Sequence, residues 1–137
     1  MTVSQFDQRD LDRRRPLSPH LQIYQPMLTM IMSIAHRATG IVLYAGTLLL
    51  AWLLIAASSG PGSYEIAASW VYSLPGKIIL FGFTWVFFHH LLGGVRHAIW
   101  DSGYGMEHPQ REWLAQATLI GGIILTIATW TIASLVS

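Results

Sequence analysis

The charged residues of this 137-residue chain are spread so unevenly that they divide it into segments by themselves. Seven of the fifteen Asp, Glu, Lys and Arg residues fall within positions 1–15, and three later stretches, 38–64, 78–95 and 113–137, carry none. Crossing a bilayer core takes ~20 predominantly apolar residues, and each stretch approaches or exceeds that length. A soluble helix of the same length needs a charged outer face, which these stretches lack. The pattern predicts an all-α integral membrane protein: a three-helix bundle of three transmembrane helices with a short N-terminal interfacial segment. The spans are expected at about 27–57, 77–100 and 113–136. They form one membrane-anchor domain over 27–137, behind an arm and interfacial segment over 1–26.

Punctuation fixes the boundaries. Pro16, Pro19 and Pro26 prevent a long helix before residue 27, because each lacks an amide donor and restricts its predecessor. Tyr24 suits the headgroup level. The run Ser58-Ser59-Gly60-Pro61-Gly62 breaks the first span. A short amphipathic lead-in over 64–74, anchored by Trp70 and Tyr72, is expected before Pro75-Gly76 opens the second. The connector 101–112 holds four charges.

Composition narrows the function classes. At 53% hydrophobic and 11% charged, against ~25% charged for a soluble domain, a soluble enzyme is excluded. The net charge of +1 gives no electrostatic case for nucleic acid. The absence of cysteine excludes disulfides, thiolate metal sites, and iron–sulfur clusters or cysteine nucleophiles supplied by this chain. No cleaved signal peptide is expected, since the first apolar stretch starts after Tyr24 without a small-residue cleavage site. Arg9, Arg13, Arg14, Arg15, Arg96 and Arg111 gather toward one side and only Lys77 toward the other. The N-terminus is therefore expected in the cytoplasm, or the mitochondrial matrix, and the C-terminus opposite.

Ionisable residues inside the spans point to function, because they are costly there. Ser33, His36, Arg37 and Gly40 stand at i, i+3, i+4 and i+7 and are expected to share a helix face. A hydroxyl, an imidazole, a fixed cation and a gap suit an acceptor-rich ligand such as a quinone carbonyl or a carboxylate. His90, Gly94, His97 and Asp101 form a second stripe, at i, i+4, i+7 and i+11. A neutral imidazole deep in a span is a good ligand for haem iron, and a glycine one turn away lets a flat macrocycle lie against the helix. Arg96, His97 and Arg37 lie nearer the cytoplasmic end, where propionates would sit. His89 opens a stripe of its own with Gly93 and Arg96, so geometry leaves two candidate ligands. With no second deep histidine suitably placed, a second axial ligand points to another membrane subunit.

These residues carry a resemblance. Arg15-Pro16-Leu17-Ser18-Pro19-His20-Leu21-Gln22-Ile23-Tyr24, then Ser33-Ile34-x-His36-Arg37-x-Thr39-Gly40, then His90-x-x-x-Gly94-x-Arg96-His97-x-x-x-Asp101 resembles the cytochrome b large anchor subunit family of succinate dehydrogenase, respiratory complex II. The resemblance implies His90 as the axial ligand of haem b, shared with a small membrane-anchor subunit, and leaves His89 to packing. It implies Ser33 and Arg37 at the ubiquinone head group, with His36, Arg37 and, more weakly, His97 near the haem propionates. Asp101 is a candidate for proton delivery. A flavoprotein subunit and an iron–sulfur subunit are the implied soluble partners, with the lipid bilayer as surroundings, and this chain alone catalyses nothing. The lack of a long Arg- and Ser-rich leader favours a bacterial inner membrane over a mitochondrial one. The competing readings are a haem-free anchor or assembly protein, a transporter or channel subunit with a histidine proton relay, and the equivalent anchor of a fumarate reductase.

Overall fold

The computed structural model describes residues 25–136. The expected arm, the Arg13–Arg15 cluster and the interfacial segment ending at Tyr24 lie outside the described residues. Four helices follow in order: α1 Leu28–Ser58, α2 Pro61–Tyr72, α3 Leu74–Asp101 and α4 Gln110–Val136. Of these, α1, α3 and α4 are long and apolar enough to cross a membrane. Their 31, 28 and 27 residues rise ~40–46 Å at ~1.5 Å per residue, more than a hydrocarbon core of ~30 Å.

The three long helices run antiparallel to their chain neighbours. Residues 40 and 46 of α1 meet 90 and 83 of α3, while residues 121 and 122 of α4 meet 92 and 89 of α3. In lipid no hydrophobic force drives helices together, so contact relies on small residues that let backbones approach. Gly46 opens a notch that takes the Phe83 ring, and Gly122 lies flat against the backbone of His89. Ala115, Thr118 and Thr126 continue the buried face of α4. Toward the other end of that interface, Trp130 Nε1 donates to Thr84 Oγ1 at 3.3 Å, and Phe81 meets the Trp130 ring edge-on at 5.5 Å. Large apolar residues such as Ile41, Tyr44, Ile78 and Ile124 point outward, where lipid is their solvent.

The lead-in expected over 64–74 is a separate helix beginning at Pro61, inside the breaker cluster. Pro61 occupies a first-turn position, where its missing amide costs nothing, and Gly60 turns the chain with φ 110°. Ser73 separates α2 from α3 with extended backbone, and its hydroxyl caps α3 by accepting from Gly76 N at 3.2 Å.

Candidate functional site

Two glycines let α1 and α3 interleave their imidazoles. A Cβ on Gly40 would lie 3.0 Å from Cε1 of His90, and a Cβ on Gly93 would overlap the ring of His36. Each histidine thus fills the notch left by a glycine on the opposite helix. The two rings stack with centroids 4.0 Å apart and planes 7° from parallel.

The hydrogen bonds of His90 assign its tautomer. Its Nδ1 lies 3.1 Å from the His36 carbonyl oxygen and 3.2 Å from Thr39 Oγ1. A carbonyl only accepts, so Nδ1 carries the proton. The Thr39 hydroxyl turns its own hydrogen to the Ala35 or His36 carbonyl, each at 2.9 Å, leaving a lone pair for the same N–H. The lone pair of neutral His90 is therefore on Nε2. A backbone carbonyl on one ring nitrogen is the arrangement that orients a metal-ligating histidine and raises its basicity.

The remaining expected residues divide by face. The shared face expected of Ser33, His36, Arg37 and Gly40 forms only in part. His36 and Gly40 turn to α3 and Ser33 is half-buried, but Arg37 is exposed. Successive helical residues point ~100° apart, so packing His36 inward turns Arg37 out. Gly94, His97 and Asp101 are all exposed. His97 stays near the cluster, its centroid 5.3 Å from that of His36, and Asp101 is the last residue of α3.

The stripe of His89, Gly93 and Arg96 faces the bundle interior. His89 is 1% exposed, stacks on Trp85 at 5.2 Å, and has no hydrogen bond at either ring nitrogen. Arg96 departs from the grouping with Arg37 and His97 suggested by their common depth. It is 2% exposed, because seven residues from His89 bring it back to the same inward face. Its guanidinium lies 5.1 Å over the ring of Trp100, and its Nε and Nη1 have no hydrogen-bond partner. Thr39 was not singled out by sequence reasoning beyond its place in a motif. Its signal is the spacing Met32–His36–Thr39, the stripe that α1 turns to its neighbour.

A haem held through one histidine of this chain needs an imidazole lone pair, room beside the helix, and donors near its edge. His90 Nε2 supplies the first. A Cβ on Gly94, one turn along α3, would meet no atom within 4 Å, which supplies the second. Exposed His97 and Arg37 supply the third. Among the described residues, no three His, Asp or Glu side chains assemble into a metal site of their own, so a bare ion held by this chain alone has no donor set there.

The family described as succinate dehydrogenase/fumarate reductase transmembrane subunit matches residues 12–129. The succinate dehydrogenase cytochrome b556 subunit of Paracoccus denitrificans is 45% identical over 121 residues, covering 88% of this chain and 93% of the relative. The cytochrome b556 subunit of Rickettsia conorii is 31% identical, covering 89% of this chain and 95% of the relative. The mitochondrial cytochrome b560 subunit of Sus scrofa is 37% identical over 97% of this chain and 78% of the relative.

Proposed function

Since the chain belongs to the succinate dehydrogenase/fumarate reductase transmembrane subunit family, as a cytochrome b membrane anchor of succinate dehydrogenase, we propose that it binds haem b through His90 and ubiquinone through Ser33 and Arg37. The observation that carries this reading is the tautomer of His90, whose Nδ1–H is engaged by the His36 carbonyl so that Nε2 is the free donor atom. When bound, the haem would supply a one-electron redox centre.

The work of this chain is to hold and to orient. Thr39 and the His36 carbonyl fix the plane of the His90 ring, and the parallel His36 ring supports one of its faces. Gly94 leaves the helix surface bare for a flat ligand. His36, His97 and Arg37 offer donors and positive charge to carboxylates at its edge. Ser33 donates to a quinone oxygen, and the permanent charge of Arg37 stabilises the negative charge that grows there during reduction. Asp101, exposed at the end of α3, passes protons from water toward that pocket in this reading.

The partners in this reading are a flavoprotein subunit, an iron–sulfur subunit and a small membrane anchor that would share the haem. The membrane in this reading is a bacterial inner membrane, and the lysine and arginine bias supports an N-terminus on its cytoplasmic side. The test is a reduced-minus-oxidised spectrum of the complex purified from its native membrane. A b-type α-band that disappears in His90→Leu and persists in His89→Leu is the expected result. A normal low-spin band in His90→Leu refutes the ligand assignment.

A further inference from the structure

Arg96 stands outside the function derived above, and its environment is unusual for a residue near a helix end. Its guanidinium is permanently protonated, yet the side chain is 2% exposed and two of its nitrogens have no hydrogen-bond partner. Among the described residues the ion pair present is His108 with Glu112, so no carboxylate neutralises it. A buried charge without a counter-charge is costly. Relief was within reach. α3 ends only five residues later at Asp101, a distance an arginine spans when it snorkels to the membrane surface. The side chain instead turns inward and lies over Trp100.

That ring is itself held. Trp100 Nε1 donates to the Gly105 carbonyl at 3.0 Å, and Gly105 adopts φ 76°, a left-handed conformation that suits glycine. The connector after α3 therefore pins the indole, and the indole face pins the cation. Arg96 also lies within electrostatic range of His36 and His89, the first stacked on His90 and the second its chain neighbour. Arg96 stands six positions after His90, ~9 Å along the helix axis. At that range, inside a bundle and away from mobile salt, a fixed charge is poorly screened.

We propose that Arg96, fixed on the face of Trp100, is a buried positive charge that raises the reduction potential of the haem carried by His90. One-electron reduction of ferric to ferrous haem adds one negative charge to the site, and a fixed cation nearby stabilises the form that has gained it. Trp100 is the positioning residue for that charge. The inference rests on His90 as the ligand, and it adds a determinant of potential that touches neither iron nor quinone.

The test is a potentiometric titration of the α-band in the purified complex, with dithionite as electron donor and soluble mediators. Arg96→Gln lowers the midpoint potential with the band position unchanged. Arg96→Lys, which keeps the charge, stays near wild type. Trp100→Leu, which frees the guanidinium, shifts the midpoint part of the way, and Trp100→Phe does not. A normal band with an unmoved midpoint in Arg96→Gln overturns this inference and leaves the His90 reading intact. Should Arg96→Gln fail to load haem, an unmoved midpoint in haem-replete Trp100→Leu overturns it instead. A wild-type complex without a b-type band overturns the His90 reading, and this inference with it.

Discussion

Adjacent glycines on α3 make the sharpest test of which face carries which task. Adding one methyl at Gly93 or at Gly94 changes the chain by the same atom on the same helix turn, yet the two outcomes should oppose each other. At Gly93 a Cβ would come within 2.9 Å of His36 Cε1 and closer still to Nδ1. Ordinary carbon contacts begin near 3.4 Å, so the ring must retreat by at least ~0.5 Å, on the scale of strain that overpacking produces. It has little freedom to do so, because its stacking partner His90 is 4.0 Å away and tethered by its own hydrogen bonds. Overpacking of this kind costs ~1–3 kcal/mol, against a gain of ~1 kcal/mol for alanine over glycine in a helix interior. The expected net is a loss of up to ~2 kcal/mol and a disturbed His36–His90 stack.

At Gly94 the same methyl meets no atom of this chain within 4 Å, so only the propensity gain remains, ~1 kcal/mol or less. The bound macrocycle, however, is expected to lie on that surface. The assay is haem content per complex together with the thermal dissociation midpoint of the detergent-solubilised complex. Gly93→Ala should lower the midpoint and broaden the haem band. Gly94→Ala should leave the packing of this chain intact and lose haem, lowering the midpoint only as far as haem loss loosens the small anchor subunit. Full haem content with an unchanged spectrum in Gly94→Ala would refute the placement of the macrocycle along the His90–Gly94–His97 stripe.

Three further outcomes follow from particular contacts. Thr39→Val removes one of two acceptors from His90 Nδ1–H, a loss of ~0.5–1.5 kcal/mol; the His36 carbonyl remains, so haem should be retained but released at lower denaturant, measured by following the α-band during denaturation. Ser33→Ala should slow quinone reduction in steady-state assays while leaving the haem spectrum in place, and an unchanged rate with an unchanged quinone KM would remove Ser33 from the pocket. Gly122→Ala should assemble normally, since its Cβ would sit 3.4 Å from the His89 backbone, whereas Gly122→Leu should force α3 and α4 apart and abolish assembly on a native gel.

The spans were legible because the signal for them is additive. Charge-free runs and proline or glycine breaks place three helices without knowing what any residue touches, and three helices long and apolar enough to cross a membrane are present. The start of α2 was not legible in the same way, because Gly60-Pro61-Gly62 reads equally as a turn or as a turn followed by a helix whose first position is proline. The site divides likewise. Helical spacing put Ser33, His36, Arg37 and Gly40 on one broad face, but a helix–helix contact selects a narrower stripe. Which member turns inward depends on the opposing glycine, Gly93, and that pairing is a property of the register between α1 and α3. The burial of Arg96 was hidden for the same reason. Depth in the membrane is legible from position along the chain, whereas direction around the helix axis is set by packing.

Direction around that axis also shows why the chain is incomplete alone. His89 lies against Gly122 of α4, Gly93 lies against His36 of α1 and Arg96 is buried, and His90 is wedged against α1, but Gly94 and His97 are exposed. A bare backbone and an imidazole have nothing to gain from lipid, which offers no hydrogen bonds. Leucine at either position would make a better lipid surface, and α3 does place Leu91 and Val95 on outward positions nearby. A polar strip flanked by apolar residues within a span is the mark of a face made for another group. Haem on Gly94, with a partner helix supplying the opposite axial ligand, would bury that strip and satisfy His90 Nε2 in the same step. Assembly of the haem and of the partner should therefore be coupled: His90→Leu should weaken retention of the small anchor subunit as well as the spectrum, and retention at wild-type level would show that protein contacts alone cover this face.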